Sequence, residues 1–358
     1  MKKQNSLINL TGTKHKLSIF KNSGYWFILP LAIIFVGLVC GTIYSQIGNR
    51  YDGFANIGID FKGGSVLTVE MNGAEMQGNN REANYELIAS ILGQNGLSAA
   101  SDQNSGSDAI IVRYQNSVIG DNNIAIDYNT SEMAEEMVAI NNTVEQQVED
   151  AFIIKYGPTI QIKANAEMIN ATASSDLLKK AALSVGIAML LMLIYTAIRF
   201  DLFSGIAALS MQINDIIIML SFVIIFRIQI NSSLIAGLIT IVAYSINNTL
   251  LIFDRVRDNI KLIRTQNLKL IPGEIVDTSV NQCLTRALFT SVTTLLTISI
   301  LACMGIKSLS DFALPIIFGV LSGLYSSLFL APSIWGLLMI AKQKNEIKKA
   351  KALKAQKR

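Results

Sequence analysis

Ala243-Tyr-Ser-Ile-Asn-Asn-Thr-Leu-Leu-Ile-Phe-Asp-Arg-Val-Arg-Asp-Asn259 is a long apolar run broken by polar side chains and then stopped by alternating charge. Ser245, Asn247, Asn248 and Thr249 have no use in a segment that only anchors a protein in lipid. In a bilayer core each needs a partner from another helix or from water, so the segment reads as a helix whose polar face looks into a bundle interior.

The rest of the chain agrees with a membrane setting. Its 358 residues are 51% hydrophobic and 16% charged, with mean hydropathy +0.42, too apolar for a soluble domain of that size. A span needs about 20 apolar residues. Six stretches meet or approach that length, at about 25–45, 177–198, 203–226, 232–253, 284–303 and 312–340. The first starts late, runs long and lacks a small-residue cleavage pattern, so it reads as a helix rather than a signal peptide.

Basic residues orient the chain. With both termini in the cytoplasm, 20 of the 30 Lys and Arg fall inside, and the short outer loops keep only Arg227 and Lys307. The division expected is a cytoplasmic tail at 1–24, helix one at 25–46, an external domain at 47–176, helices two to six within 177–340 with a cytoplasmic loop at 254–283, and a basic tail at 341–358. The external domain holds 18 of the 26 acidic residues. The net charge of +4 is therefore a topology signature for a protein in a lipid bilayer and gives no reason to invoke nucleic acid.

Cys40, Cys283 and Cys303 lie in or beside membrane helices, so no disulfide framework is expected in the external domain. His15 is the sole histidine, which leaves a histidine metal site or a His-dependent triad without residues. No nucleophile-base pair, metal-ligand cluster or phosphate-binding loop is legible, and no cofactor is expected; the chain reads as a non-enzyme.

Within the external domain, Val66, Thr68 and Glu70 alternate with Ser65, Leu67 and Val69 as in a half-buried strand. Gly63 and Gly64 supply the turn before it. Tyr85, Ile88, Ala89 and Leu92 recur at helical spacing, a short strand is expected near 97–101, and Ala109 to Tyr114 is rich in strand formers. Ser131 to Val148 reads as a second helix and Ala151 to Tyr156 as a last strand. Gly157-Pro158 then breaks the chain, and 161–176 is polar with helical tendency. The stretches at 76–80, 101–107 and 115–123 read as loops. The order β-α-β-β-α-β predicts a ferredoxin-like α+β domain between helices 1 and 2 of a six-helix α-helical membrane protein.

Asp215 is the sharpest chemical signal. A carboxylate near mid-bilayer costs several kcal/mol to bury charged, a cost that proton relays exploit. Gln212 and Asn214 cluster with it; the alternative is a neutral, hydrogen-bonded Asp that only fixes helix packing. Arg286, Thr290, Thr293, Thr294 and Thr297 return every three or four residues as one polar face, with Arg286 placed either to act or to snorkel to water. Asp254, Arg255, Arg257 and Asp258 end the central helix, as working residues or as a solvated cap. Asn247 and Asn248 do not titrate, so they orient water or brace helices. Gly319, Gly323 and Ser327 step by four and allow close helix approach.

These residues together resemble the SecF branch of the SecD/SecF family of bacterial protein-export machinery, related to the proton-driven RND transporters. The resemblance rests on Gly58-Ile-Asp-Phe-Lys-Gly-Gly64, which includes Asp60, Phe61, Gly63 and Gly64, and on Tyr156-Gly-Pro158, Ile198-Arg-Phe200 and Asn214-Asp215. It continues through Tyr244-Ser-Ile-Asn247, Phe253-Asp-Arg-Val-Arg-Asp-Asn259, and Arg286 with Thr290-Ser-Val-Thr-Thr-Leu-Leu296. It implies a subunit of the inner membrane that assembles with SecD, the SecYEG channel and YajC, and draws SecA-driven preproteins outward on the proton gradient. One position departs from the pattern. The family's helix-four motif usually reads Ser-x-Asn-Asp, with that Asp as the proton carrier, and here the position is Asn248. Either Asp215 serves instead, or SecD supplies the carboxylate, or coupling is lost, naturally or by engineering. Competing classes are a passive scaffold of the translocase and an RND-like exporter of small molecules, the latter expected to carry two membrane halves and two external domains.

Overall fold

A computed structural model describes residues 17–47, 53–58, 61, 64–71, 79–97, 99–104, 109–115, 117–119, 125–127, 134–158, 160–169, 171–304 and 307–356. Asp60 and Gly63 lie outside the described residues.

Ile28–Gln46 forms α1, the first of six helices long and apolar enough to cross a membrane. The external domain follows, with β1 Gly64–Met71, α2 Asn79–Gln94, β2 Ala99–Asn104, β3 Ala109–Tyr114, β4 Ser117–Ile119, β5 Ala125–Asp127, α3 Ala134–Tyr156 and β6 Ile162–Ile169. Strand order is β2-β3-β1-β6 with every neighbouring pair antiparallel, the ferredoxin-like arrangement. The alternation in β1 puts Leu67, Val69 and Met71 into a core with Ile88 and Leu92 of α2 and Val144, Val148 and Phe152 of α3. At one end of that core the Tyr114 hydroxyl donates to Asn141 Oδ1 at 2.7 Å, and Asn141 Nδ2 donates to Ser65 Oγ at 3.1 Å. Burial holds the Tyr114 phenol well above its ordinary pKa, and the nearby negative Glu145 adds to this.

Four expectations for this domain need correction, the first being the loop at 101–107, of which 101–104 belong to β2. Ala151 to Tyr156 continues α3 instead of forming a strand, because Phe152 extends the buried face of Val144 and Val148 by one more turn. Gly157, at φ +94°, ends the helix. The last strand is β6, from the stretch expected to be helical, where Ile162, Ala164, Ala166 and Met168 alternate toward the core. As an edge strand β6 presents free N–H groups; Glu149 Oε1 accepts from Ala164 N at 2.9 Å and Glu145 Oε1 from Ala166 N at 2.5 Å. Within 115–123, expected to be a loop, β4 pairs with β5 in a small hairpin.

Five more spans follow: α4 Ala171–Arg199, α5 Leu202–Ile225, α6 Ser232–Thr265, α7 Pro272–Ala302, and a sixth built from α8 Lys307–Tyr325, a π-helical segment Ser326–Leu330, and α9 Ala331–Gln356. Asp201 caps α5 by accepting the Ser204 N–H, and Asn231 caps α6 by accepting the Leu234 N–H. The loop expected at 254–283 is helical over most of its length and shrinks to 266–271. Phe253, Val256 and Ile263 keep α6 buried beyond its apolar run, as Val276, Val280 and Cys283 do for α7.

The segment before α1 also departs from a free polar tail. Ile19 is fully buried at the end of the bundle farther from the domain. Asp277 Oδ1 accepts the N–H groups of Ile19 and Phe20 at 2.8 and 2.9 Å, and Asn281 bonds both Leu17 N and Leu17 O. At the opposite end, residues 53–58 tie the domain to the α5–α6 turn. Gly58 N donates to Ile230 O and Ile230 N to Asn56 O, each at 2.8 Å, while Arg227 Nη1 donates to Gly53 O at 3.0 Å.

Candidate functional site

Asp215 lies near the middle of α5 and is completely buried. Both carboxylate oxygens are occupied by hydroxyls from other helices. Ser245 of α6 and Ser326 of the π-helical segment donate to Oδ2 at 2.5 and 2.8 Å, and Ser322 of α8 donates to Oδ1 at 2.7 Å. Small residues make this possible. A Cβ at Gly319 would lie 2.1 Å from Ile241 Cδ1, and one at Gly323 would lie 3.3 Å from Ser245 Cβ, so glycine at 319 above all lets α8 sit this close to α6. The wider π turn at Ser326–Leu330 then sits where Ser326 meets the carboxylate, a location typical of functional π segments. Ser322 also lines an apolar groove of about 240 Å³ with Leu29 of α1 and Phe318 of α8.

Gln212, one turn earlier on α5, donates from Nε2 to Val242 O at 3.3 Å and braces α5 against α6. Asn214 is half-buried, and its Nδ2 has no hydrogen-bond partner. Asn248 is buried one turn along α6 from Ser245, but it turns toward α7: its Nδ2 donates to Ser291 Oγ at 3.1 Å, and the Tyr244 hydroxyl reaches the same oxygen at 3.3 Å. The interior seam thus runs from α5 through α6, with one branch to α8 and one to α7.

Asn247 and Arg286 are exposed, on the outside of the bundle. Thr290, Thr293 and Thr297 share that outer face. Each threonine hydroxyl bonds a carbonyl of its own helix, which satisfies it without a neighbour. Arg286 instead joins Asp254, Arg255, Asp258 and Gln282 around a cavity of about 290 Å³ at the end of the bundle away from the domain. Arg255 Nε donates to Gln282 Oε1 at 2.8 Å, and Asn259 Nδ2 bonds Ser279 Oγ and Gln282 Oε1. Asp254 pairs with Arg199 at 3.6 Å with both side chains about half exposed, so the pair adds little stability. Of the Gly58–Gly64 motif, Gly58, Phe61 and Gly64 are described; Phe61 N closes a turn on Gly58 O at 3.0 Å. Among the described residues no group of three or more His, Cys, Asp or Glu is placed to hold a metal.

Comparison with known proteins gives this geometry a context. The family described as protein export membrane protein SecD/SecF, C-terminal, matches residues 151–341. The protein translocase subunit SecF of Acidaminococcus fermentans is 28% identical over 89% of this chain and 96% of its own length. The protein translocase subunit SecDF of Bacillus subtilis is 26% identical over 92% of this chain, which spans only 38% of that longer protein. The crystal structure of SecDF, a translocon-associated membrane protein from Thermus thermophilus, aligns with TM-score 0.60 at 25% identity, covering 91% of this chain and 39% of the other.

Proposed function

The chain belongs to the SecD/SecF family of protein-export membrane proteins, and from that membership we propose that it works as a SecF-type translocase subunit coupling proton movement to outward transport of preproteins. Its relatives are translocase subunits, a non-catalytic role, and the family is one of multi-pass membrane proteins. The finer assignment is a bacterial inner-membrane protein with both termini cytoplasmic, the 47–176 domain outside, and SecYEG, SecA and YajC in the same machinery.

Asp215 carries the proposal. A charged carboxylate accepts from all three serine hydroxyls, whereas a protonated one becomes a donor itself, so at least one serine must turn or yield. A change of protonation therefore alters how α6 and α8 hold α5. The α5–α6 turn carries residues 53–58, and through them the external domain takes up the movement.

SecD is the partner this reading requires, since relatives named SecDF hold both parts in one chain. The exposed Asn247, at lipid depth on α6, is costly unless protein covers it. SecD placed there brings its own polar groups to the face of Asn247 and Arg286, opposite the non-titrating Asn248.

Asn248 and the fully satisfied Asp215 favour a second reading, a passive scaffold of the translocase. Vesicles holding SecD and this protein separate the two: proton flux that falls in Asp215→Asn supports the motor. Equal flux, with proton-gradient-dependent export unchanged in cells lacking other SecF, leaves the scaffold. Asn248→Asp fits the same space, with Ser291 donating to the carboxylate, and raises the flux if the motor reading holds.

A further inference from the structure

A cavity of about 300 Å³ opens where the start of α5 meets the far part of α6 and the first half of α9, apart from the Asp254–Arg286 cavity and unused by the proposed proton chemistry. Its floor is apolar, with Phe200, Phe253 and Met339 among the lining. Its rim is cationic. Arg257, Lys261 and Arg264 stand at successive turns of one α6 face, and Lys342 of α9 faces the same opening. Asp201 is the one acid on the lining, set against four cations, and its Oδ1 accepts the N–H and hydroxyl of Ser204.

The cations are weakly neutralised from within. Lys261 meets Asp258 only at 3.9 Å with both side chains more than half exposed, and Lys342 Nζ lies 5.4 Å from the centre of the Phe203 ring. Arg257 Nη1 spends one donor on Arg199 O at 3.3 Å and keeps the rest of its fork. Trp335, also on the lining, is 1% exposed, and its Nε1–H has no hydrogen-bond partner.

Depth identifies the ligand. α6 has 34 residues, roughly 50 Å at 1.5 Å per residue, against a hydrocarbon layer of about 30 Å. Its apolar run ends at Phe253, where the cavity begins, so the opening stands at the level of the lipid headgroups. A soluble phosphate compound meets the same cations but leaves the aromatic floor bare. We propose that this cavity holds the phosphate headgroup of an anionic membrane lipid, with phosphate oxygens among Arg257, Lys261, Arg264 and Lys342 and the glycerol and first acyl carbons against Phe200, Phe253 and Met339. It is independent of the proton reading, because no residue here contacts Asp215.

Native mass spectrometry of the purified full-length protein, titrated with phosphatidylglycerol, phosphatidylcholine of the same chains, or inorganic phosphate, tests it. Phosphatidylglycerol is expected to remain bound in preference, and Lys261→Gln with Arg264→Gln to weaken it more than tenfold, at about fivefold per cation removed. Lys348→Gln with Lys349→Gln, farther along α9, is expected to change nothing. Equal retention by wild type and the Lys261/Arg264 variant overturns the proposal, as does an equal loss in the Lys348/Lys349 variant, which means diffuse charge. Inorganic phosphate raising the melting temperature as much as phosphatidylglycerol assigns the cavity to a soluble phosphoester and also overturns it. If the double variant fails to fold, Lys261→Gln and Lys342→Gln, each alone, carry the test, and retention undiminished in both overturns it.

Discussion

Ser322 of α8 donates its hydroxyl to Asp215 Oδ1 of α5 at 2.7 Å, a side-chain bond that joins the third and sixth membrane helices at mid-depth. Ser322→Ala removes the one hydroxyl found on that oxygen and is expected to cost about 1–3 kcal/mol, the range for a buried acceptor left short. Ser245→Ala and Ser326→Ala both act on Oδ2, so their combined effect on the melting temperature in detergent is expected to fall short of the sum. Strict additivity would mean that the serines do not share the carboxylate.

Gly319 fits against Ile241 with no room for a methyl group. Gly319→Ala is expected to destabilise by about 1–3 kcal/mol through overpacking. Since the obstructing atoms belong to a side chain, Ile241→Val in the same protein recovers part of the loss. A double variant no more stable than Gly319→Ala would place the clash elsewhere.

Gly58 has a different neighbour, the backbone oxygen of Ile230, which a Cβ would approach to 2.9 Å. No side chain can yield here. Gly58→Ala is expected to break the pairing of residues 56–58 with the α5–α6 turn, read as faster hydrogen exchange at the Ile230 amide, which otherwise donates to Asn56 O. Unchanged exchange at Ile230 would show that the pairing tolerates the methyl.

Tyr114 gives a pH signature. Its folded phenol titrates above the unfolded value of about 10, so the stability from keeping it neutral is complete below pH 10 and is lost as pH rises beyond that. Tyr114→Phe is expected to flatten the stability profile above pH 10, and to lower stability near neutrality by about 1 kcal/mol because Asn141 loses its donor. A slope identical in both proteins would exclude Tyr114 as its source.

Asp215 was legible in the sequence because a carboxylate in a long apolar run has few structural uses. Its partners were not. Serine and threonine in apolar helices often bond their own backbone, as Ser221, Thr240 and Ser333 do here, so nothing local marks Ser322 and Ser326 as reaching across. The threonine periodicity of α7 misleads for the same reason: the regular face points outward, and Ser291, just off it, meets Asn248. Spacing carried the ferredoxin-like order and its second helix, but stopped that helix short and misplaced the last strand. Phe152, Ile153 and Ile154 have strand propensity, yet the buried face of α3 overrides it, a tertiary effect that no local window contains.

Two glutamates of α3 decide what the outer edge of β6 offers to another strand. Glu145 and Glu149 occupy the amides of Ala166 and Ala164 that a passing chain would need to extend the sheet by another strand. That border is closed to β-augmentation, so an extended polypeptide finds no ladder to join there.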